Sequence, residues 1–233
     1  VSNAECAALV LERGGVELLE ERNGHGSTPL HCAVKKGRVD CVRLYLKSGA
    51  AVDGRLKGKS SSYNPTPLYS AAISGMSECV RALLDGGADP ELLTKENVHS
   101  KTNVESKPIH AAAKGGSPDC IRELLDRGVS VDSLCEANGN TPLHYVVSNI
   151  IRPEPEHIRR SDLVDCAELL ISYGADVTIQ TNGGKTALDI AQSPAMTNAA
   201  RMGAWTPIVK KMIDVLSVKP GLCTKKACRN GDE

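Results

Sequence analysis

Short apolar stretches recur along this chain in one two-part arrangement. Leu30, Ala33 and Val34 fall on a single helical face just after Thr28-Pro29. Thr is a helix cap, and Pro fits the first helical position, where its missing N–H costs nothing. A second apolar stretch then returns through Val42, Leu44 and Leu46, and an equivalent one through Ile121, Leu124 and Leu125. Between the two stretches, Gly37, Gly75 and either Gly115 or Gly116 predict a break and a tight reversal. A Gly after each second stretch predicts a left-handed helix end. The pattern therefore predicts pairs of short helices. One such pair cannot bury its own apolar face, but a stack of pairs can.

The arrangement repeats at the level of residues. Thr28-Pro29-Leu30-His31-Cys32-Ala33 returns as Thr66-Pro67-Leu68-Tyr69-Ser70-Ala71 and as Thr141-Pro142-Leu143-His144-Tyr145-Val146. Lys107-Pro108-Ile109-His110-Ala111-Ala112 and Thr186-Ala187-Leu188-Asp189-Ile190-Ala191 are looser copies. Thr28 to Cys41, Thr66 to Cys79 and Lys107 to Cys120 are each 13 positions apart, and the Cys block also occurs at Cys6 and Cys166. Each block is followed by a glycine tail such as Gly87-Ala88-Asp89 or Gly174-Ala175-Asp176.

These residues resemble the ankyrin repeat family from about residue 4 to 216. The resemblance implies an all-α solenoid of stacked helix-turn-helix units with hairpin-like connecting loops. It also implies a structural hydrogen bond for His31, His110 and His144. Partners would be proteins, bound at hairpin tips and at exposed positions of the first helices. On this chain the tips are His25, Ser27, Tyr63, Asn138, Asn140 and Lys185, and the helix positions are Lys35, Lys36, Ile73, Ser74, Lys114 and Ser148.

Departures from the pattern divide the chain further. A unit of about 33 residues leaves about 20 from one Cys slot to the next Thr slot. Cys41 to Thr66 is 25 and Cys79 to Lys107 is 28, so the loops at 54–65 and 91–106 are lengthened. Thr141 to Cys166 is 25 against 13 elsewhere, an insertion of 12 that we place at 152–163, with Ser161-Asp162 expected to cap the helix after it. The expected organisation is one repeat array over 1–216, comprising a second-helix remnant and about five repeats. Its last helix opens at Trp205-Thr206-Pro207 and runs through Leu216, and a flexible polar tail follows at 217–233.

Composition narrows the function. Aromatics are 3% with no Phe, so the core is built from small and aliphatic residues. Lys+Arg and Asp+Glu are both 28, which removes the bulk attraction to nucleic acid or a membrane surface. No apolar run approaches a membrane span, and Val1–Gly15 lacks the basic start of a secretory signal. Cysteines number nine, and five of them (Cys6, Cys41, Cys79, Cys120, Cys166) share one expected core slot. That usage fits a reducing, intracellular compartment, the cytoplasm before the nucleus.

No catalytic, metal or cofactor constellation emerges. His25, His99 and His157 are scattered on loops, and no Cys-x2-Cys or His-x3-His pair is present. Gly58-Lys59-Ser60 lacks the upstream glycine of a phosphate loop, since position 53 is Asp. The expectation is a non-enzymatic scaffold or adaptor with no metal, no cofactor and no small-molecule ligand. Two alternatives accompany it. Lys219-Pro220-Gly221-Leu222-Cys223 is similar to the opening of a SOCS box, which would imply a substrate receptor of a cullin-type ubiquitin ligase. The array could also be the interaction domain of a larger enzyme.

Overall fold

Thr-Pro steps, replaced by Lys107-Pro108 and Thr186-Ala187 in two copies, set the first-helix starts, and the rest of the architecture follows from them. The computed structural model describes residues 3–56, 64–96, 104–149, 160–193 and 206–217. It begins with α1 (Asn3–Gly14) and a 3₁₀ turn (Val16–Leu19). Five helix pairs follow: α2 (Pro29–Lys35) with α3 (Val39–Lys47), α4 (Pro67–Ile73) with α5 (Ser77–Asp85), α6 (Pro108–Lys114) with α7 (Pro118–Leu125), α8 (Pro142–Asn149) with α9 (Arg160–Ser172), and α10 (Ala187–Ala191) with α11 (Thr206–Leu216). The Thr66 side chain accepts the Tyr69 N–H at 3.1 Å, and Thr186 accepts that of Asp189 at 3.1 Å. These bonds satisfy N–H groups that every helix start leaves open.

The helices form two rows. α2, α4, α6, α8 and α10 pack side by side in an inner row, and α1, α3, α5, α7, α9 and α11 in an outer row. The core lies between them. Leu30, Val34, Leu68, Ile109, Leu143 and Val146 enter from the inner row, and Val42, Val80, Leu83, Ile121, Leu124, Leu163 and Leu170 from the outer. Ala71, Ala72, Ala111, Ala112 and Ala113 are all fully buried, and their small side chains let α4 and α6 approach closely.

The reversal after α6 is made by Gly116, with φ +62°, while Gly115 keeps φ −74° at the end of the helix. Gly128, with φ +82°, ends α7 as the left-handed cap: its N–H reaches Leu125 O at 2.9 Å, and that of Val129 reaches Leu124 O at 3.3 Å.

Three features differ from the sequence reading. First, the long loop at 91–106 carries secondary structure, a short antiparallel pair of β1 (Thr94–Glu96) and β2 (Val104–Ser106) with Thr94 opposite Ser106. Second, α9 starts at Arg160, so Ser161 and Asp162 sit in its first turn instead of capping it. Third, Cys6 is exposed, whereas Cys41, Cys79, Cys120 and Cys166 are buried. Each of those four lies on an outer helix paired with an inner one, and among the described residues α1 has no inner partner. Tyr63, the insertion up to residue 159, Trp205, and the tail after Ser217 with Cys223, Cys228 and the SOCS-like stretch lie outside the described residues. Among the described residues, no helix is long and apolar enough to cross a membrane.

Candidate functional site

On α2, α6 and α8 the histidine of the repeated slot is bound at the start of its own helix, and on α6 and α8 it also reaches the following turn. The Thr28 hydroxyl lies 2.8 Å from Nδ1 of His31, and the Thr141 hydroxyl lies 2.8 Å from Nδ1 of His144. His110 accepts the Lys107 N–H on Nδ1 at 3.1 Å and places Nε2 2.8 Å from the Ser133 carbonyl. His144 reaches the Lys185 carbonyl of the next unit at 3.2 Å. Where this partner sits on Nε2 and an N–H donates to Nδ1, the ring is neutral with its proton on Nε2. Burial lowers the pKa of His31 and of His144, opposed in each case by nearby backbone carbonyls. The His110 and His144 rings thereby fix their turns.

The turns are built by local side chains. Asn23 accepts the N–H groups of His25 at 2.9 Å and Ser27 at 3.1 Å, which leaves the His25 ring exposed. Asn138 accepts the Asn140 N–H at 3.0 Å and also meets the Tyr145 hydroxyl at 3.1 Å. Lys185 N–H bonds Thr181 Oγ1 at 3.3 Å. A chain of long side chains links the turns: Arg22 donates to the Arg55 carbonyl at 2.9 Å, and Arg55 to the Leu93 carbonyl at 2.9 Å.

The structure divides the predicted surface residues into two groups. His25, Ser27, Lys35, Ile73 and Ser74 come together on one groove of about 330 Å³ over the first two helix pairs. Leu56, Pro65, Ser70 and the His31 ring complete it. Lys36 is exposed but lines the opposite side of α2 with Arg38 and Tyr45. The second group lies on the later units and is largely engaged within the fold. Lys114 places its ammonium 4.3 Å above the Tyr145 ring, and its carbonyl accepts from Asn149 at 2.7 Å. Asn138 and Asn140 shape their turn, and Ser148 is half-buried.

Sequence reasoning missed Tyr145, which holds His110 edge-on at 5.6 Å as well as Lys114 and Asn138. Its one signal is a large ring in a slot that holds Cys32, Ser70, Ala111 or Ile190 in the other copies. It also missed a wider groove of about 730 Å³ at the helix reversals, where Met76, Ser117, Asp119 and Asp162 join Ile73 and Ser74. Ile73 and Ser74 line both grooves. Among the described residues, no group of His, Cys, Asp and Glu is placed to hold a metal ion.

Comparison with known families gives matching residues over most of the chain. A model described as ankyrin repeats (3 copies) matches residues 2–94 and 90–159, and one described as ankyrin repeat matches 138–182.

Proposed function

The chain belongs to the ankyrin repeat family, and from that premise we propose that it acts as a non-catalytic scaffold or adaptor whose partner seats in the groove over the first two helix pairs. Ankyrin repeats are protein–protein interaction modules, so the class of function rests on the family and the site on geometry. The observation that supports this site is the convergence of His25, Ser27, Lys35, Ile73 and Ser74 on one groove. These residues come from one turn and from two successive inner helices. A half-buried Ile73 within a polar rim is the arrangement expected of an interface anchor. The use of cysteine as a core residue supports a cytoplasmic location.

The test is capture of partners from cell lysate by the full chain, read by mass spectrometry, beside an Ile73→Asp, Ser74→Arg variant whose folding is checked by circular dichroism. We expect specific proteins with the parent and their loss with the folded variant. Undiminished capture by the variant rejects this groove. Absence of any specific protein with the parent rejects the function.

A further inference from the structure

Charge is distributed unequally between the two helix rows. The inner helices α2, α4, α6 and α8 carry Lys35 and Lys114 and not one Asp or Glu, and the acid of the inner row, Asp189, lies on α10, the third inner helix beyond α4. The other acids of the described helices lie on the outer row, where several pair across units: Arg81 with Glu123 at 2.5 Å, Arg127 with Asp85, and Lys211 with Glu168 at 3.0 Å. Lys35 is exposed on the groove described above, and among the described residues no carboxylate lines that groove. The chain as a whole has zero formal charge, so this local excess of positive charge is a property of the surface and not of the composition. Next to it stands the apolar side of Ile73, one unit further along.

From this juxtaposition we infer that the groove takes an extended acidic peptide segment, with one carboxylate on Lys35 and an apolar side chain against Ile73. This rests on the protein-binding reading above and gives it a partner chemistry. Neighbouring inner helices lie roughly 10 Å apart. An extended chain advances about 3.3 Å per residue. The acid and the apolar residue are therefore about three positions apart. Nucleic acid fits less well, because among the described residues Lys35 is the one Lys or Arg that lines the groove, and no Phe, Tyr or Trp does.

The experiment pans a random displayed peptide library on the full chain and measures the affinity of a synthetic winner. We expect enriched peptides to carry Asp or Glu about three positions from an aliphatic residue. Their affinity should fall about tenfold in Lys35→Glu and on raising salt from about 0.05 to 0.5 M. Ile73→Asp should weaken it similarly, and Lys36→Glu, the same charge change outside the groove, by a markedly smaller factor. Neutral or basic winners, absence of enrichment, insensitivity to Lys35→Glu, or equal displacement by a single-stranded oligonucleotide each overturn the inference. If lysate capture persists while any of these occurs, the acidic segment is rejected and the protein-binding reading stands. If capture also fails, both are rejected.

Discussion

The Thr141 N–H donates to Nδ1 of His144 at 3.2 Å, so that nitrogen has no room for a proton of its own. Nε2 carries the proton instead, toward the Lys185 carbonyl. Burial lowers the pKa of His144 and of His31 below the ordinary 6.5. The unfolded chain then takes up protons that the folded chain refuses as pH drops below about 6.5. The stability these two residues contribute is complete above that pH and is lost as pH falls toward the lowered folded values. We expect the thermal midpoint to drop by on the order of a few degrees between neutral and mildly acid pH. The drop should shrink in a His31→Gln, His144→Gln chain. A slope unchanged by both substitutions would assign it to other groups.

Lys107 stands where the other units have Thr, and lysine has no acceptor for the open N–H groups of α6. Its ammonium pairs instead with Glu91 at 2.6 Å, an exposed pair of small worth. Lys107→Thr and Lys107→Ala both remove that pair, and only the first adds a capping hydroxyl. Lys107→Thr should exceed Lys107→Ala in stability by about 1 kcal/mol, measured by urea unfolding. Equal stabilities would show that His110 alone satisfies this helix start.

The helix starts, the reversals and the row of buried cysteines were legible because they are set locally, by capping chemistry and by a 3.6-residue period. What depends on the neighbouring unit was not. Tyr145 gathers partners from positions 110, 114 and 138, and no local pattern announces that. Cys6 follows the repeat spacing yet is exposed, because its slot is buried only where an inner helix covers it. Of the predicted surface, Lys35 and Ile73 share a groove while Lys36, one residue from Lys35, faces away. The direction of each side chain is fixed by the stacking of units, not by its place in the motif.

The cysteines divide by reactivity as they do by burial. Burial pushes the Cys120 thiol up to about 11 and raises Cys79 and Cys166 as well. Thiolate is the reacting species, and a buried thiol must also wait for local opening. Native alkylation with iodoacetamide, mapped by mass spectrometry, should modify Cys6 on the order of a hundredfold faster than Cys79, Cys120 or Cys166. Comparable rates would mean that the outer row opens readily.

Gly115 tests how tightly α4 and α6 are set. Its φ is −74°, so alanine is conformationally acceptable there and would by itself favour the helix by roughly 0.5–1 kcal/mol. A Cβ at this position, however, would lie 2.5 Å from the carbonyl oxygen of Ile73 and 3.0 Å from its carbon. Those are backbone atoms at the end of α4, and they can withdraw only if the two helices separate. The overpacking cost, about 1–3 kcal/mol, then exceeds the propensity gain. Gly115→Ala should lower stability, whereas Gly183→Ala, which meets only Thr181 Oγ1 at 3.6 Å, should be close to neutral. Because Ile73 also forms a wall of the groove, Gly115→Ala should weaken partner capture even where the chain remains folded. A neutral Gly115→Ala with normal capture would show that the spacing of the first three units is adjustable and that the groove is not held in one shape.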